Sequence, residues 1–230
     1  NQNVTSLEVL NSTIYAGTNR DGVFKSTNNG VSWGNSNNGL PNRKVYSLCI
    51  SGTNIFAGIG GGGGIFKSTD NGNNWSISNI GLTNQTVLSL EKVGSNLFAG
   101  TYGGGIFKST NDGLNWINSN VGITNNNIWD ITSIGSIIIS STENGVFRST
   151  NEGANWVASN TGLTNTYVRS LTTSGANIIA GTYGNGIFIS SNGGINWVLV
   201  HAGIPYVWSF SSLGSNVFAG TQTGVFWSTN

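Results

Sequence analysis

Acidic side chains are scarce in this chain, and three of them share one setting. Asp70 lies in the stretch Ser68-x-Asp70-x-Gly72-x-x-Trp75, and Asp112 and Glu152 fall in the corresponding stretches downstream. Two carboxyl groups facing one cleft are what glycosidic hydrolysis requires, one as acid and the other as base or nucleophile. Among the 8 acidic residues, Glu8 and Glu91 occupy one repeated position and read as structural. Asp21, Asp130 and Glu143 remain, and Asp130 with Glu143 is the pair that would carry catalysis in an enzyme. Other reactive groups are isolated. His201 and Cys49 are each the sole residue of their type, so no metal centre, disulfide framework or histidine-based triad is expected. The run GIGGGGG at 58–64 matches a dinucleotide fingerprint in letters only, since no helix is expected to follow it.

Composition narrows the classes further. Only 7% of the 230 residues are charged, while 8 Trp, 10 Phe and many Val and Ile supply a core. The net charge of +1 provides no electrostatic footprint for nucleic acid or an anionic membrane. No apolar run reaches the roughly 20 residues of a membrane-spanning helix. With 35 Gly, 2 Pro and Asn-rich turns between short β-branched runs, the chain reads as all-β. Poverty in Lys and Glu, and the absence of Met, suggest a mature or excised segment of a longer secreted bacterial protein.

One repeat of about 41 residues organises the whole chain, marked by Trp33, Trp75, Trp116, Trp156 and Trp197. GVFKST at 22–27 returns as GIFKST, GIFKST, GVFRST, GIFISS and GVFWST. IYAGT at 14–18 and VTSL at 4–7 recur in step. Each unit thus predicts four short strands: V-x-S-L, N-x-F-A-G-T, G-I-F-K-S-T and a strand beginning at the Trp. A lone four-stranded meander cannot bury both its faces, but several arranged radially can. The expectation is a single domain over 1–230: a six-bladed β-propeller of four-stranded antiparallel blades. Its repeats run approximately 1–41, 42–83, 84–124, 125–164, 165–203 and 204–230. The last blade lacks its outer strand within this chain, so neighbouring sequence or self-association would complete it.

The five copies of S-[TS]-[ND]-x-G-x-[NS]-W resemble the Asp-box, or BNR repeat, of sialidase-like and photosystem-assembly-factor-like propellers. The resemblance covers essentially the whole chain. It implies that the box closes the turn between third and fourth strands, opposite the ligand face. The key position is Asn28, Asp70, Asn111, Asn151 and Asn192, so a carboxylate is not what the copies share. A sialidase would also need an arginine triad. Arg20, Arg43 and Arg169 are scattered over different repeat positions, and the F-R-I-P signature is absent. Arg148 instead continues the Lys25, Lys67, Lys108 series, which reads as a solvated position with stems covering apolar surface.

Departures from the repeat are where a site can be individualised. At the x of V-x-S-L stand Tyr46, Trp129, Arg169 and Trp208; just before the strand stand Tyr167 and Tyr206. The second-to-third loops add Arg20, Tyr102 and Tyr183. These are the ligand-binding candidates, expected around the mouth of a central channel and suited to a glycan or a protein ligand. Channel-plugging aromatic packing is the competing reading. The function expected is a non-catalytic binding or scaffold module without cofactor. The alternatives are an atypical glycoside hydrolase or a purely structural spacer.

Overall fold

The computed structural model describes residues 3–41 and 44–229. These contain six antiparallel sheets and no helix, and the chain divides into two compact units, residues 1–118 and 119–230. The first unit holds three blades. They are β1 (Val4–Leu10), β2 (Thr13–Thr18), β3 (Gly22–Ser26) and β4 (Gly34–Asn35); then β5 (Val45–Ser51), β6 (Asn54–Ile59), β7 (Gly64–Ser68) and β8 (Ser76–Ile77); then β9 (Val87–Val93), β10 (Asn96–Thr101), β11 (Gly105–Ser109) and β12 (Ile117–Asn118). The second unit holds β13 (Asp130–Ile134), β14 (Ile137–Thr142), β15 (Gly145–Ser149) and β16 (Val157–Ala158); β17 (Val168–Ser174), β18 (Asn177–Thr182), β19 (Ile187–Ser190) and β20 (Val198–His201); and the three-stranded β21 (Val207–Leu213), β22 (Asn216–Thr221) and β23 (Gly224–Ser228). Every sheet is a meander in chain order.

In the first five blades the second strand is largely buried on both faces, as the continuous N-x-F-A-G-T run requires, whereas β22 of the last blade is mostly half-buried. Its glycine lets the next blade approach: a Cβ on Gly17 would stand 2.7 Å from Val45 Cγ1, and one on Gly58 would stand 2.8 Å from Val87 Cγ1. Blades are also tied through V-x-S-L. Ser6 Oγ accepts from Leu48 N–H and Ser47 Oγ from Leu90 N–H, both at 3.0 Å.

The repeated turn is a closed hydrogen-bond circuit. Ser68 Oγ donates to Asp70 Oδ1 and accepts from Gly72 N–H, while Asp70 Oδ1 accepts from Asn74 N–H, each at 2.9 Å. Asn28, Asn111, Asn151 and Asn192 accept equivalently from the N–H four residues on. The residue before the glycine is left-handed in all five copies: Asn29, Asn71, Asp112 and Glu152 have φ between 54° and 57°, and Gly193 has 68°.

Four tryptophans then tie their turns to the segment one repeat upstream. Trp75 Nε1 donates to Ser36 O and Trp116 Nε1 to Ser78 O in the first unit, and Trp156 Nε1 to Ser119 O and Trp197 Nε1 to Ser159 O in the second, all at 2.8 Å. These indoles are no more than 5% exposed. Trp33, which has no preceding blade in its unit, is 42% exposed.

The basic series departs from expectation. Lys25 Nζ donates to Asn73 Oδ1 at 2.6 Å, Lys67 Nζ pairs with Asp112 Oδ2 at 2.8 Å, and Arg148 Nε donates to Gly193 O at 2.7 Å. These heads staple the turn of the following blade, Lys25 at the exposed surface and Lys67 and Arg148 in part-buried positions. The turn offers several carbonyls within reach of a long cationic side chain, and that outcompetes free hydration.

Candidate binding site

The variable x of V-x-S-L owes its presentation to a register irregularity. In β1, β5, β9, β17 and β21 the ladder skips one residue, namely Thr5, Tyr46, Leu88, Arg169 and Trp208. A bulged residue is relieved of ladder pairing and re-aimed, and the strand bends locally. The segment preceding these strands is fixed by backbone bonds: Tyr183 N–H donates to Tyr167 O at 2.9 Å, and Gln222 N–H to Tyr206 O at 3.2 Å.

Six of the candidates gather within the second unit. Trp129 and Tyr167 stack at 6.0 Å between centroids, and Tyr167 stacks on Tyr183 at 4.9 Å. Tyr183 meets Tyr206 at 4.2 Å and Trp208 edge-on at 5.9 Å, and Tyr206 stacks on Trp208 at 5.8 Å. The Arg169 guanidinium lies 4.1 Å from the Trp129 ring and 6.0 Å from that of Trp208. Such contacts are each worth about 0.5–2 kcal/mol, rising as water is excluded. The cluster is nevertheless open: Tyr183 is 40% and Trp208 46% exposed. It offers flat apolar faces, phenol hydroxyls and one fixed cation.

The remaining candidates lie in the first unit. Half-buried Tyr46 lies flat on Gly60, where a Cβ would stand 1.9 Å from its ring. Tyr102 and Arg20 are exposed on strand-connecting turns. Arg43 lies outside the described residues.

The carboxylates have other partners. Asp130 replaces the Ser of V-x-S-L and takes over its role, Oδ2 accepting from Leu171 N–H at 2.8 Å and Oδ1 from Ile131 N–H at 2.9 Å. Glu143 is half-buried on the β14–β15 turn. Glu8 is raised above the usual carboxylate range, chiefly by burial. Burial also pushes the Cys49 thiol up, with Glu91 and Glu8 adding to the shift, which keeps it protonated and unreactive. No group of three or more His, Cys, Asp or Glu suited to a metal ion occurs among the described residues.

The blade construction has counterparts among solved structures. The extracellular domain of BT4673 from B. thetaiotaomicron superposes with a TM-score of 0.83 at 19% identity, over 100% of this chain and 32% of that one. The fold is a β-propeller. This propeller also matches an ancestral GH74 enzyme, with a TM-score of 0.75 at 20% identity over 99% of this chain and 38% of that one. A third match is YCF48 bound to D1 peptide, with a TM-score of 0.68 at 14% identity over 97% and 76%. The chain therefore spans well under half of the first two structures, and identities this low speak to fold alone. No family model matches the sequence, and no curated protein does.

Proposed function

We propose that the chain is a non-catalytic ligand-binding or scaffold propeller of the Asp-box type, its six blades working as one domain of a secreted bacterial protein. The observation that carries the reading is the open aromatic cluster around Arg169, built from bulged, pre-strand and second-to-third-loop positions where the copies of the repeat differ. Stacking faces beside hydroxyls and a cation suit a pyranose ring or a protein segment. Similarly folded structures support this breadth, as they include extracellular domains and a peptide complex.

Glycan and peptide arrays read with the full chain test this proposal. Trp208→Ala should weaken any specific hit by at least about tenfold while lowering the melting temperature by only a few degrees, because Trp208 stacks on its neighbours but is 46% exposed and outside the ladder. Arg169→Ala should reduce hits that carry an acidic group. A blank array, or hits indifferent to both substitutions, would overturn the proposal. Turnover of a glycoside lost on Glu143→Gln would replace it with the hydrolase reading.

A further inference from the structure

The turns before β8 and β12 repeat each other, and the side chain just before the glycine is where they differ. In the later turn that residue is Asp112, whose carboxylate fills the space against the preceding blade. Asn54 Nδ2 donates to Asp112 Oδ2 at 2.6 Å and Lys67 Nζ donates to the same oxygen at 2.8 Å. In the earlier turn the residue is Asn71, with a φ of 57° against 54° for Asp112. Thr13 stands at the Asn54 position, since Leu10 pairs with Thr13 as Ser51 pairs with Asn54. The space that Asp112 fills in one interface is, in the other, a cavity of about 320 Å³ lined by Ser12, Thr13, Tyr15, Lys25, Thr27 and Asn71. In the second unit an alkyl chain closes the equivalent place, Ile137 Cδ1 standing 2.8 Å from the position of a Cβ on Gly193.

Lys25 keeps the cation of this arrangement but has neutral partners. Its Nζ donates to Asn71 O at 3.2 Å and to Asn73 Oδ1 at 2.6 Å, which uses two of the three ammonium N–H groups. The neighbouring Asp70 turns its carboxylate into its own turn, accepting from Ser68 Oγ, Asn74 N–H and Asn74 Nδ2.

We propose that this cavity is a receptor for a small hydroxy acid, whose carboxylate takes the place that Asp112 holds one interface on. The third Lys25 N–H meets that carboxylate in a charge-assisted bond. The hydroxyls of Ser12, Thr13 and Thr27 line the cavity for those of the ligand. The volume is that of roughly ten waters, room for a six-carbon acid. The site lies wholly in the first unit and draws on none of the residues of the aromatic cluster.

Calorimetry on the full chain tests this with gluconate, with sorbitol, which carries an alcohol in place of the carboxylate, and with acetate. Gluconate should bind saturably at a single site, acetate more weakly, and sorbitol not at all. Lys25→Met should weaken gluconate at least about tenfold. Asn71→Asp supplies the internal carboxylate and should abolish binding while holding or raising the melting temperature, which separates a filled site from a misfolded one. The double replacement Asn54→Thr with Asp112→Asn should open a second site and raise the stoichiometry toward two. Gluconate that fails to saturate, sorbitol that binds as tightly, or binding that survives Asn71→Asp would overturn the proposal. A stoichiometry left at one by the double variant would do the same. Tighter binding of a short aspartate-bearing peptide would assign the cavity to an acidic side chain of a partner instead.

Discussion

At the scale of single residues, charge is used sparingly and locally. Asp70 fills a position that is asparagine in the other four turns, and it is held down to about 2 by the Asn74 side chain first, then the Asn74 N–H and Ser68. A carboxylate lowered from 3.8 contributes stability that is present above that value and lost as pH falls toward 2. Asp70→Asn should therefore flatten the acid limb of a stability-versus-pH curve in that window and slightly lower stability at neutral pH, where the carboxylate's contribution is present. Acid titration followed by tryptophan fluorescence checks this. Asp130 illustrates the opposite economy, a carboxylate doing the work of a serine hydroxyl. Asp130→Ala strands the Leu171 N–H between blades and should cost about 1–3 kcal/mol in chemical denaturation, whereas Asp130→Ser, which restores the repeat, should cost less than Asp130→Ala.

At the scale of elements, each blade is anchored by the indole that begins its fourth strand. Trp116 is 1% exposed, and Trp116→Ala should lose about 3–5 kcal/mol. Trp33→Ala, at 42% exposure, should lose far less, and urea melts of the two variants side by side decide it. The strands, the turn and its tryptophan were legible in the sequence because five copies repeat both the apolar run and the glycine that follows it. The reach of Lys67 to Asp112 was not, since it joins residues one full repeat apart through a flexible chain that composition marks only as polar. The bulge at Arg169 was equally hidden, because register depends on the partner strand rather than on the residue itself. The candidate aromatics were readable as departures from the repeat. Their convergence on Arg169 within one unit was not, because it depends on strand bends that only the folded sheets show.

At the scale of the whole molecule, only 7% of residues are charged, and cohesion comes chiefly from apolar burial and neutral hydrogen bonds, with Lys67–Asp112 a partly buried ion pair. Screening therefore has little to act on, and the melting temperature should move by less than about 2 °C between low salt and roughly 0.5 M NaCl. A larger shift would mean that charge networks carry the fold. The register skip at the first strand of five blades has a broader consequence. Thr5, Tyr46, Leu88, Arg169 and Trp208 sit outside the backbone ladder, so they can change without breaking a strand pairing, although Thr5 also donates to the Val45 carbonyl of the next blade. Inheritance of the architecture and variation at these positions are thereby uncoupled, and the bulged residues can change one blade at a time.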